Sequence, residues 1–113
     1  MRHRSCVVAL LLVLLFANSP AGAADARANY KKHCTSCHGP DGKAQTRLGR
    51  KSGAKDLSDK PAIAKLSDDE IFKTIKEGRK NAKGEEKMEP FGGEMSDAEM
   101  KELVAFVRRE LAK

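Results

Sequence analysis

The run Cys34-Thr35-Ser36-Cys37-His38 decides how this chain is read. Cys-x-x-Cys-His is the attachment signature of c-type haem. Two thiols three residues apart on one helical turn can each add to a vinyl group of one haem, forming two thioethers. His38 is then carried under the iron as a fifth ligand. Two other readings compete at the level of the motif. A bare Cys-x-x-Cys can be a redox dithiol, which would normally sit beside a βαβ pattern; no such pattern is visible. It can also be half of a zinc site. Downstream of the leader described below there is no further Cys, so zinc would need a cramped local cage of His33, Cys34, Cys37 and His38.

The surroundings of the motif bear on this choice. Arg2 and Arg4 form a basic n-region, Cys6 to Ala17 an apolar stretch, and Ala21-Gly22-Ala23 a small-residue cleavage site. Residues 1–23 therefore read as a cleaved secretory signal peptide and 24–113 as one small domain. The apolar run is short of the ~18 residues that a membrane span needs. Export carries the thiols into an oxidising compartment, where a free pair at this spacing would tend to form a disulfide. Residues 24–113 hold 20 Lys and Arg against 16 Asp and Glu, a formal charge of +4. The signs are interleaved, and the aromatics are only Tyr30, Phe72, Phe91 and Phe106. Nucleic-acid binding, which shows a basic stripe with aromatic platforms, is not indicated. Leu, Ile, Val and Phe number only 13 of these 90 residues, below the level at which a chain folds unaided. A covalently held haem would supply the missing central hydrophobe.

Along the chain, Asp25 is a candidate cap for a first helix running to about Cys34, with Ala26, Tyr30 and Cys34 on one face. Tyr30 reads as core. Gly39-Pro40-Asp41-Gly42 suits a type I turn. Residues 43–60 are basic and weakly patterned, a long loop in which only Leu48 and Leu57 are large and apolar. Two capping boxes follow, Ser67-Asp68-Asp69-Glu70 and Ser96-Asp97-Ala98-Glu99. The first starts a helix from about Asp68 to Glu77, ended by Gly78. The second starts a terminal helix from about Asp97 to Ala112, with Met100, Leu103, Val104, Val107 and Leu111 as its stripe and Phe106 at the edge. Arg108 and Arg109 favour its dipole. Residues 79–87 read as a charged loop, and no strand is predicted.

A haem on His38 needs a second axial ligand or an open face. His33 is too close in sequence to cross to the other face and reads as an exposed helix residue. Met100 lies on the terminal helix stripe, and Met95 occupies the staple position before its cap. Met88 has no helical duty. It precedes Pro90, which stiffens the chain, and Gly92-Gly93, which permit a reversal. Met88 is therefore the predicted sixth ligand, with Met95 its rival. If neither binds, the iron would be open to gas or peroxide chemistry.

With these residues in hand, the chain resembles the small class I c-type cytochromes of bacterial respiratory chains. The likeness runs from about Asp25 to Leu111. It rests on Tyr30–Gly42 (YKKHCTSCHGPDG), on Lys87–Ser96 (KMEPFGGEMS) and on the amphipathic helix after them. The resemblance implies an all-α fold of three to five helices around one covalently bound haem c, with first and last helices crossing. Ala26 and Tyr30 should then pack near Leu103, Phe106 and Val107. It implies Cys34 and Cys37 as thioether sites and His38 and Met88 as axial iron ligands. Members often carry glycine where Ala26 stands. Many also place a proline about a dozen residues after the haem histidine, its carbonyl orienting the imidazole. Here Gln45 to Ser52 contains no proline, so another carbonyl must serve. There is no Trp for a propionate; Arg50, Lys51 and Lys55 are the candidates.

Together these readings predict an exported, periplasmic, monomeric one-electron carrier with no catalytic residues. Its partners would be redox proteins with acidic docking faces, steered by lysines such as Lys43, Lys83 and Lys87. No membrane insertion is expected after leader removal. A cytochrome subunit of a periplasmic oxidoreductase complex and a haem-free exported thiol redox module are the alternatives.

Overall fold

The computed structural model describes residues 21–113. The n-region and apolar stretch of the expected leader lie outside them. Among the described residues there are six α-helical segments, one π-turn and one two-stranded hairpin. Three helices reach ten residues or more: α1 (Ala21–His33), α5 (Asp68–Glu77) and α6 (Asp97–Phe106). They build the core. Three short segments, α2 (Thr35–His38), α3 (Arg47–Ser52) and α4 (Lys60–Ala64), frame the attachment motif. The all-α expectation holds, apart from the hairpin.

The first and last helices pack together. Ala26 is fully buried, and the Tyr30 and Phe106 rings meet with centroids 5.3 Å apart. Leu103 and Val107 complete the contact at 1% and 5% exposure. Phe106 is thus a core residue instead of an edge one, because α1 crosses over the side of α6 that helical spacing leaves unpaired. The Tyr30 hydroxyl donates to the Gly39 carbonyl at 2.6 Å, which ties α1 to the turn after the motif. Asp25 is not a cap: α1 already runs through it from Ala21. At the other end of the chain, the backbone leaves α-helical register. Residues Val107–Leu111 form a π-turn closed by Ala112 N–H donating to the Val107 carbonyl at 2.8 Å.

Both capping boxes form as reciprocal pairs, Ser67 with Glu70 and Ser96 with Glu99. Each satisfies two otherwise unpaired N–H groups at a helix start. The Gly39–Gly42 turn closes with a 3.2 Å backbone hydrogen bond. The predicted loop over 43–60 holds α3 and the start of α4. Thr46 caps α3 by accepting from Gly49 N–H at 2.9 Å, and Asp59 caps α4 by accepting from Ala62 N–H at 3.1 Å. These helices are too short for an apolar stripe to appear in the sequence. The charged segment 79–87 is also not a loop throughout. Arg79–Lys80 (β1) pairs antiparallel with Glu86–Met88 (β2), and Arg79 stands opposite Met88. The strands are too short and too charged for alternation to mark them.

Arg108 has a different role from helix-dipole compensation. Its Nε donates to Asp68 Oδ1 at 2.7 Å, Nη1 to the Ile63 carbonyl at 3.2 Å and Nη2 to the Leu66 carbonyl at 2.6 Å. One guanidinium thereby fastens the α4–α5 connection to the terminal helix.

Candidate cofactor site

A cleft opens between the attachment motif, the α3–α4 connection and the hairpin. It has two lobes of about 200 and 170 Å³. Cys34, His38, Lys55, Arg79 and Met88 line both. The inner lobe is walled mainly by apolar groups from every core element, among them Leu57, Ile63, Ile71, Ile75 and Leu103. The outer lobe adds Cys37, Ser36, Ser52, Lys87 and Glu89. This is the shape and polarity that a flat amphipathic ring requires: an apolar interior, a polar mouth and cations at the boundary. All four sequence-predicted site residues therefore reach one cavity, although they come from α2, its flanking Cys34 and β2.

Close backbone packing places them. Gly49 on α3 lies against α2, where an added Cβ would collide with the Cys37 carbonyl and lie 2.7 Å from the Ala44 carbonyl. The Thr46 hydroxyl reinforces the contact, lying 2.9 Å from the Ser36 carbonyl and 2.8 Å from that of Cys37. On the opposite side, Gly78 ends α5 with φ +73°, and a Cβ there would strike the Met88 carbonyl. Only glycine combines that left-handed conformation with such an approach.

His38 is held by a carbonyl that the sequence reading left unnamed. Its Nδ1 lies 2.9 Å from the Lys55 carbonyl oxygen. A carbonyl can only accept, so Nδ1 carries the proton and Nε2 keeps its lone pair. Burial lowers the imidazole pKa; the Lys55 hydrogen bond works against this, and the Arg79 charge adds to the lowering. The ring is thus biased toward the neutral form that binds a metal. No local pattern in the sequence marks Lys55 as this partner. Gly53 caps α3 at φ +69°, turning the chain back toward His38.

Cys34 has its thiol pKa pushed up to about 12, first by burial and then by Cys37 and Glu89. A redox dithiol needs the opposite shift. Among the described residues, no three His, Cys, Asp or Glu side chains converge as a bare metal site, so the four-ligand zinc cage does not form. The donor set fits haem: two thiols, an oriented imidazole and a half-buried thioether. The other methionines among the described residues, Met95 and Met100, are core residues at 5% and 0% exposure and line neither lobe.

Sequence reasoning missed Arg79, which follows the Gly78 reversal and lies at the boundary of both lobes. Of the propionate candidates, Lys55 lines the cavity, whereas Arg50 and Lys51 are exposed on α3. Lys87 lines the mouth, while Lys43 borders a separate groove with Arg27 and Lys113. His33 is not the exposed helix residue expected. Its side chain is 12% exposed, packs edge-on to Phe91 at 5.4 Å and lines the outer lobe.

Fold and site together define a small c-type cytochrome of class I. The family model described as cytochrome c oxidase, cbb3-type, subunit III matches residues 21–107, and the chain belongs to that family. Among solved structures it is similar to the KustC0563 c-type cytochrome, with 37% identity and a TM-score of 0.67 over 79% of this chain and 99% of that one. Cytochrome CL from the marine methylotroph Methylophaga aminisulfidivorans MPT shares the fold at 18% identity and TM-score 0.61, over 86% of this chain and 60% of that one. The c-type cytochrome XoxG from Methylobacterium extorquens AM1 does so at 23% identity and TM-score 0.54, over 82% and 54% respectively. Comparison with curated proteins gives no match. Membership implies a haem c cofactor and a role in electron transfer.

Proposed function

We propose that this chain is an exported one-electron carrier whose single haem c is bound through Cys34 and Cys37, with its iron between His38 and Met88. The observation that carries this reading is the oriented imidazole of His38, fixed by the Lys55 carbonyl at 2.9 Å, in a cavity that Met88 also lines. When bound, haem supplies an Fe(III)/Fe(II) couple. The protein's part is to hold both axial groups in place, so that little moves between oxidation states, and to exclude water with the apolar inner lobe. A thioether ligand favours Fe(II) and raises the potential. With His38 and Met88 both holding the iron, a bound haem would offer no place for a substrate, which suits electron transfer over catalysis. The high pKa of the Cys34 thiol speaks against a free thiol redox module.

The ligand assignment is tested on the matured protein. The weak methionine-to-iron(III) charge-transfer band should be present in wild type and in Met95→Ala and absent in Met88→Ala. Loss only in Met95→Ala would overturn it.

The domain at work is 24–113, monomeric and periplasmic after removal of residues 1–23, with redox partners that present acidic faces. At the outer lobe Lys55, Arg79 and Lys87 outnumber Glu86 and Glu89, which supports that polarity of docking. Association rates with such partners should fall as ionic strength rises, and a flat salt profile would count against it. The oxidase subunit in the family's description favours a second reading, a domain fixed within an oxidoreductase complex. Isolation with stoichiometric partner subunits, instead of as a free monomer, would select it.

A further inference from the structure

The segment that carries Met88 is tied to α5 by backbone hydrogen bonds and by the buried Phe91 ring, 3% exposed in the core. Phe91 N–H donates to the Ile75 carbonyl at 3.0 Å and Gly92 N–H to the Lys76 carbonyl at 3.1 Å, tying it to the end of α5. The side facing the attachment motif is met by a side chain. His33, the last residue of α1 and the neighbour of Cys34, places Nδ1 3.3 Å from Glu94 Oε2. The same ring stands at 61° to the Phe91 ring. Among the described residues, His33 is the one α1 side chain that lines the outer lobe with Met88. The Glu94 backbone is held in turn, its N–H donating to the Phe91 carbonyl at 3.0 Å, while its side chain is 53% exposed.

We propose that His33, Glu94 and Phe91 form a latch across the cleft that holds the Met88 segment against the attachment motif and so sets how firmly Met88 keeps its position. His33 acts through that segment and is a positioning residue. A latch of this kind does not alter the resting geometry of the pocket. It opposes the outward swing of residues 88–94, the motion by which Met88 would leave and an external ligand would enter. Its two contacts, a polar His33–Glu94 contact at the rim and an aromatic edge contact, are individually modest.

The test uses matured protein in wild-type, His33→Ala, Glu94→Gln, Met88→Ala and Arg27→Ala forms. Arg27→Ala is the comparator, since it removes different α1 contacts, the ion pair to Glu110 at 3.3 Å and the cation–π contact to Phe106, in a groove that Met88 does not line. Imidazole is titrated into each ferric protein, and amide hydrogen exchange is followed at Phe91 and Gly92. Both latch variants should take up imidazole about fivefold more tightly and exchange faster at both amides, with Arg27→Ala matching wild type in each. Wild-type exchange and wild-type imidazole affinity in both latch variants would overturn the proposal. So would equal shifts in Arg27→Ala, because they would mark a loss of overall stability alone. The imidazole arm rests on Met88 ligation as proposed above; the exchange arm does not. If Met88→Ala and wild type bind imidazole alike, the ligation reading fails and the exchange rates alone decide the latch.

Discussion

Arg108 shows how far a single residue's role depends on where the chain brings its neighbours. Near a helix C-terminus it is favourable for the dipole, and nothing in its sequence surroundings asks for more. In the structure it bonds Asp68, the Ile63 carbonyl and the Leu66 carbonyl, about 40 residues away along the chain. Ile63 and Leu66 wall the inner lobe, so this guanidinium holds the apolar side of the cofactor cavity. Charge-assisted bonds of this kind contribute more than neutral ones, and unsatisfied carbonyls are costly. With the group only 31% exposed, Arg108→Ala should lower the unfolding free energy of the matured protein by about 2 kcal/mol. Arg108→Lys should recover less than half, since one ammonium cannot reach three acceptors in a planar fork. Urea denaturation followed by haem absorbance and far-UV circular dichroism measures both; a midpoint unchanged in Arg108→Ala would refute the clamp. The same dependence on neighbours governs His33 and His38. His38 was legible from its motif, but its carbonyl partner was not. The side-chain environment of His33 became visible only when Phe91 and Glu94 returned beside it.

Among the elements, those with a strong local code were readable at near-residue accuracy. Ser67–Glu70 and Ser96–Glu99 each place a hydroxyl and a carboxylate where the first free N–H groups of a helix need them, and both helices start as read. Gly78 ends α5 as its position suggested. Elements made by tertiary packing were not readable. The α3 and α4 segments are six and five residues long, too short to be stable alone. They persist because Gly49 lets α3 lie against the Cys37 carbonyl and because the α4 wall is clamped by Arg108. The hairpin likewise has no alternation of its own. It forms where the Gly78 reversal and the Met88 segment bring two charged strands within pairing distance. The π-turn at Val107–Leu111 is a packing result of the same sort, with Leu111 and Ala112 both at 7% exposure.

For the molecule as a whole, the thin core has a direct consequence. Among the described residues only Ile63, Met100 and Leu103 are large side chains at 2% exposure or less. The walls of the inner lobe face a cavity instead of one another. Small domains of this kind need a staple, and here the staple would be the haem. The Cys34→Ser/Cys37→Ser chain, expressed with haem-attachment machinery, should therefore lose most of its helical circular dichroism and its cooperative thermal transition. A cooperative fold with native helicity in that variant would show that the protein core suffices. What the order of residues indicated was chemical and local: the Cys-x-x-Cys-His motif, a candidate axial nitrogen, a preferred methionine, two helix starts and a composition poor in large apolar residues. These follow from short-range stereochemistry and composition. The tertiary structure decided which groups face each other across the cleft: Lys55 toward His38, Arg79 opposite Met88, His33 toward Glu94 and Arg108 toward the α4–α5 connection. Such pairings arise when distant segments are packed together, so no local pattern in the chain can carry them.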